Sequence, residues 1–79
     1  MSTAEIFEKV REILVKNLDV NSAYVEMDTS IRELMPDSSE LLDILLDLEE
    51  EFDVDITDED FEEIDTVSDA VEYIKNEML

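Results

Sequence analysis

Three stretches of the chain place apolar side chains at helical spacing. Ile6, Phe7, Val10, Ile13 and Leu14 fall at i, i+1, i+4, i+7 and i+8, one side of a helix over residues 3–17. Ser2 or Thr3 caps its start, Glu5 sits in the first turn where the helix dipole favours an acid, and Asn17 and Asp19 mark its end. A second helix is predicted over 37–52. Pro36 disfavours a helical Met35, Asp37 is a good N-cap, and Glu40 three residues on resembles a capping box. Leu41, Ile44, Leu45, Leu48 and Phe52 form its core stripe. Leu42 and Leu46 lie on a different face, with Ser39, Asp43 and Glu50. The last stretch, 66–78, carries Val67, Ala70, Val71, Ile74 and Met78 on one side, with Thr66 and Asp69 as a cap pair.

A short helix is predicted at 58–63, with Thr57 as N-cap and Asp60 answering it. Residues 18–36 hold Leu18, Val20, Tyr24, Val25, Met27, Ile31 and Leu34 with no single period. They read as an ordered loop pinned to the core by some of these side chains, and a loop so long is often functional. The only alternating stretch, "FDVDI", is too short for a useful strand. The expected fold is all-α: a small four-helix bundle of three longer helices and one short one, with a long loop between helices one and two. No internal repeat or boundary interrupts residues 1–79, so one domain is expected.

Charge narrows the choice of partners. Twenty-five acids face five bases, a net charge of −20, and no Lys or Arg occurs between Arg32 and Lys75. Such a surface repels phosphate backbones and excludes a nucleic-acid partner. It attracts proteins with basic patches and steers their approach. No apolar run approaches the ~20 residues that span a bilayer, no secretory leader opens the chain, and cysteine is absent. A monomer in a reducing cytoplasm, away from membranes, is the expectation.

The same composition limits the chemistry. Without His or Cys a nucleophilic serine lacks the usual activating base, so no catalytic residue and no enzyme is expected. "DVDITDEDFEEI", residues 53–64, begins like a calcium loop. It has Asp58 where position 6 needs Gly and Ile64 where position 12 needs a bidentate Glu. The clustered acids then bind divalent ions weakly at most, and no specific metal site is expected. "PDSSE", residues 36–40, puts two serines at a helix mouth, where unpaired N–H groups favour a phosphate. On local grounds an ordinary cap and a phosphate-bearing serine both remain open.

Over a longer span the register decides. "PDSSELLDILLDLEEEFDVDITDEDFEEIDTVSDAVEYI" resembles the central and C-terminal part of acyl carrier proteins. Asp37-Ser38 matches their Asp-Ser-Leu motif, followed without a gap by Leu48-Glu49-Glu50-Glu51-Phe52, Ile56-Thr57-Asp58 and Thr66 to Ile74. "EIFEKVREIL" is similar to their first helix. The resemblance implies that Ser38 carries a 4′-phosphopantetheine arm, with Asp37 beside it, and that the arm's thiol holds acyl groups as thioesters for fatty-acid or lipid biosynthesis. It implies a phosphopantetheinyl transferase and acyl-loading and acyl-transferring enzymes as partners, docked through Ser39, Leu42, Asp43, Leu46, Glu49, Glu50 and Ile56. Polar Ser39 replaces the family's leucine, Leu34-Met35-Pro36 its usual Leu-Gly approach, Thr57 a common Pro, and Asp47 a small apolar residue. These departures point to a specialised carrier. The alternatives are an aminoacyl, peptidyl or polyketide carrier, or an acidic helical interaction module with no prosthetic group.

Overall fold

The computed structural model describes residues 2–34 and 38–78. The Ser2 hydroxyl accepts from the Glu5 N–H at 3.2 Å and the Ser2 N–H donates to the Glu5 carboxylate in return, a complete capping box that opens α1 (Thr3–Leu18). A 3-10 turn, Ser22–Tyr24, follows. Then come α2 (Ile31–Leu34), α3 (Ser38–Phe52), α4 (Asp58–Glu63) and α5 (Val67–Glu77). The helices lie within a residue or so of their predicted spans. The described residues contain no strand, only an isolated bridge between Ser30 and Thr66. None of these helices is long and apolar enough to cross a membrane.

The element that differs from expectation is α2, within the predicted loop. Its single turn is possible because the loop is bonded to the start of α5. The Val67 N–H donates to the Thr29 carbonyl at 2.9 Å and the Ser68 N–H to the Met27 carbonyl at 2.8 Å. In return the Ile31 N–H donates to the Asp65 carbonyl at 2.7 Å, and the Ser30 hydroxyl to the Asp65 carboxylate at 2.9 Å. The first N–H groups of a helix have no partner within it, so the loop completes α5 while α5 fixes the loop. Val25 and Ile31 drop into the core from this segment, while Tyr24 and Met27 stay exposed.

Among the described residues every buried residue is apolar. Ile6, Val10, Ile13 and Leu14 of α1 meet Ile44, Leu45, Leu48 and Phe52 of α3 and Val67, Ala70, Val71 and Ile74 of α5. Helix α1 packs against both α3 and α5. Ile56, Phe61 and Ile64 close the end of the cluster. Each fully buried branched side chain contributes about 1.5–3 kcal/mol, a large share of what a chain this size retains on folding. Leu41 and Met78, at the ends of their stripes, reach the surface instead. Between α1 and α3, Asn17 donates to the half-buried Asp47 carboxylate at 2.8 Å, and Lys9 pairs with Glu51 at 2.7 Å. The Glu51 hydrogen bond, more than its charge alone, raises the Lys9 ammonium above its ordinary value.

Without glycine, two sharp turns fall to aspartate. Asp19, the C-cap of α1, and Asp53, just after α3, hold φ of 52° and 54°. Each puts an L-residue in the left-handed region and an acid at the negative end of a helix. Asp53→Gly is therefore expected to stabilise the fold by about 0.5–1 kcal/mol, raising the melting midpoint by about 2–8 °C. Asp53→Asn, which removes only the charge, should give a smaller rise. Thermal melts of the three proteins check this, and an unchanged or lower midpoint for Asp53→Gly would show that the turn is unstrained.

Candidate functional site

Ser38 is the first residue of α3. Its backbone sits at a helix mouth, where N–H groups without intrahelical partners and the positive dipole end suit a phosphate ester. The side chains of Ser38 and Ser39, and the whole of Asp37 with its expected cap, lie outside the described residues. Ser38 heads the row Leu41, Leu42 and Leu45 at i+3, i+4 and i+7, whereas Ser39 heads Leu42, Asp43 and Leu46.

The first row faces a cleft. Leu41, Leu42 and Leu45 form one wall, Asp58, Phe61 and Glu62 of α4 the other, around a volume of about 330 Å³. The lining is mainly apolar with two acids, so it suits a chain with an apolar body and a few polar groups. A second cleft, about 480 Å³, lies between α1 and α3 and includes Lys9, Glu12, Lys16, Asp47, Glu50 and Glu51. It is larger but mostly charged, and it lies off the Ser38 row.

The α4 wall is only six residues long. Thr57 caps it by accepting from the Asp60 N–H at 3.1 Å, and Phe61 is its buried anchor. The Asp60 carboxylate, expected to answer Thr57, instead accepts the Tyr73 hydroxyl at 2.9 Å; the same hydroxyl lies 3.3 Å from the Asp55 carbonyl. On the other side Arg32 donates to the carbonyls of Glu62 at 2.7 Å and Phe61 at 3.3 Å. Burial, with the Asp60 hydrogen bond second, pushes the Tyr73 phenol up to about 12.

The outer face of α3 presents Leu42 and Leu46, 55% and 49% exposed, between the exposed acids Asp43 and Glu50. Glu49 is half-buried, and its carboxylate accepts the Ile56 N–H at 3.4 Å across the turn after α3. Ile56 itself is 6% exposed and belongs to the core. Of the residues expected at a docking surface, the structure gathers Leu42, Asp43, Leu46 and Glu50 on one open face. It assigns Glu49 partly to the turn, and it takes the Ile56 side chain out of reach of a partner. The parts played by Arg32 and Tyr73, and the bond of Asp60 to Tyr73, were not anticipated, because they depend on contacts between residues far apart in sequence.

A helical bundle with a serine opening a long helix, an apolar cleft along the same row and no cysteine of its own has the layout of a carrier whose reactive group is attached rather than encoded. Residues 8–74 match the family described as phosphopantetheine attachment site, and the chain belongs to that family. The carrier resemblance read from the sequence is borne out, and the covalent cofactor is 4′-phosphopantetheine. The helix mouth and the adjoining cleft fit a phosphate-linked arm.

Tyr73 gives this region a pH signature. A phenol whose folded pKa is raised contributes stability that is complete below its unfolded pKa near 10 and is lost as pH rises through about 12. Tyr73→Phe is expected to melt a few degrees below wild type at pH 8, with the gap narrowing between about pH 10 and pH 12. Melting series of both proteins across that range check it, and a constant gap would mean that the hydroxyl does not hold α4 through its proton.

Proposed function

We propose that the protein carries acyl intermediates for enzymes of fatty-acid or lipid biosynthesis in the cytoplasm, with Ser38 as the attachment residue. The observation that supports Ser38 over Ser39 is register: all three leucines that follow Ser38 at i+3, i+4 and i+7 line the apolar cleft, whereas of the residues that follow Ser39 only Leu42 does. The bound arm supplies the thiol that the chain lacks, and it holds cargo as a thioester. The chain's own part is to orient the arm, offer apolar walls to the cargo and present α3 to partners, as a carrier and not a catalyst. Burial of each methylene is worth ~0.8 kcal/mol, so a fatty chain gains by entering the cleft.

Incubation with coenzyme A and a broad phosphopantetheinyl transferase, followed by intact-mass measurement, tests the assignment. Wild type and Ser39→Ala are expected to gain one arm, and Ser38→Ala none. Labelling that persists in Ser38→Ala would move the site to the neighbouring serine. No labelling of wild type would favour a plain acidic interaction module.

Docking is proposed on the outer face of α3, through Leu42 and Leu46 with Asp43 and Glu50 beside them. Long-range attraction between this face and basic patches acts mainly on encounter rate and specificity, and exposed charges add little to stability. Asp43→Lys with Glu50→Lys is expected to slow the transferase about tenfold or more at low salt while leaving the melting midpoint within a few degrees. Rates that stay unchanged and insensitive to salt would place the interface on another face.

A further inference from the structure

Arg32 stands alone in its part of the chain, the only Lys or Arg between Lys16 and Lys75. Acids surround it in the sequence, yet it makes neither of the two ion pairs found among the described residues. Its guanidinium instead reaches across from α2 to the last turn of α4, where one nitrogen serves both the Glu62 and Phe61 carbonyls. These lie at the negative end of the helix, where a cation is favoured and late carbonyls lack intrahelical donors. The same two residues, Phe61 and Glu62, line the cleft. Helix α2 is the element that leads into the Ser38 segment.

We propose that Arg32 is a positioning residue for the prosthetic-group site. It ties the approach to Ser38 to the opposite wall of the cleft, and so sets how far α4 stands from α3. Its consequence for cargo rests on the carrier reading; the tie itself does not. With Arg32 in place, α4 stays closed over Leu41 and Leu45. Without it, α4 is left to Phe61, the adjoining Ile64, its Thr57 cap and the Tyr73–Asp60 bond among the described residues, and the cleft opens to water.

Amide hydrogen exchange on the unmodified protein, comparing wild type, Arg32→Lys and Arg32→Gln, reads the tie directly. In Arg32→Gln, exchange across residues 58–63 is expected to quicken about tenfold while α1 and α5 keep their protection. Arg32→Lys, which retains a charged donor, is expected to fall between. Equal acceleration in every helix would make Arg32 a general stabiliser, and no acceleration would make the contact incidental; either overturns the proposal. In a second arm, wild type and Arg32→Gln are loaded with the coenzyme A arm and an octanoyl group, and thioester cleavage by hydroxylamine is timed. Faster cleavage in the variant supports control of the cleft. Equal cleavage despite faster α4 exchange overturns it. Failure of wild type to take the arm would overturn the carrier reading and the cargo half of the proposal, while the exchange result still decides the tie.

Discussion

The rest of the structure depends on the bonding of the long connection to the start of α5. An α-helix begins with N–H groups that nothing inside it can satisfy. In α5 they are met by the Thr66 hydroxyl and by the carbonyls of Thr29 and Met27. The Asp69 carboxylate turns back to the N–H groups of Thr66 and Asp65, and these bonds hold it below the usual carboxylate range. With Ile31 bonded back to Asp65, the connection has no freedom to drift, and Ile31 enters the core as α2 begins. A loop that would otherwise cost much conformational entropy is thus held by hydrogen bonds that another helix needed in any case.

The charge imbalance works against this economy of contacts, and the five bases are placed accordingly. Lys9 joins α1 to Glu51 of α3, and Lys75 of α5 donates to Thr3 of α1. Arg11 pairs with Glu8 and lies over the Phe7 ring at 5.2 Å. Most cationic contacts therefore gather on the α1 side. The α3 and α4 surfaces are left acidic, and Arg32 donates to the backbone carbonyls of Glu62 and Phe61. The result is a molecule with one strongly negative side, the side that holds the cleft and the exposed leucines. Such a surface costs stability through self-repulsion and gains speed in meeting basic partners.

The parts legible in the sequence were those decided locally. Cap residues such as Ser2, Thr57 and Thr66 and the stripes of α1, α3 and α5 lie within a few residues of what they control. Helix ends and core faces therefore followed from spacing. The split of α3 into a buried stripe and an outer face with Leu42 and Leu46 was also visible on the wheel. Helix α2 was not, because four residues carry no period and owe their turn to bonds with residues some 35 positions away. Ile56 and Glu49 were assigned outward by resemblance alone. The turn at Asp53 folds Ile56 inward and draws the Glu49 carboxylate onto its N–H, which no spacing rule reports. Arg32 read as a charge; its partners are carbonyls, which the sequence does not distinguish from one residue to the next.

The division of labour among the helices explains why the cleft lies where it does. Helices α1, α3 and α5 bury whole faces against one another, so moving any of them exposes several branched side chains at once. Helix α4 has six residues and one buried aromatic ring, and it is held otherwise by polar bonds from Arg32 and Tyr73. Local opening is cheapest where buried apolar contact is least and hydrogen bonds are open to solvent. A carrier must shelter its cargo between partners and release it at each one. Those demands conflict in a uniformly packed bundle and are compatible in one that combines a rigid three-helix core with a lightly held fourth wall. Helix α3, with Leu41 and Leu45 on the cleft side and Leu46 outward, belongs to the rigid side of that cleft, so the α4 wall can move while the outer face of α3 stays in place.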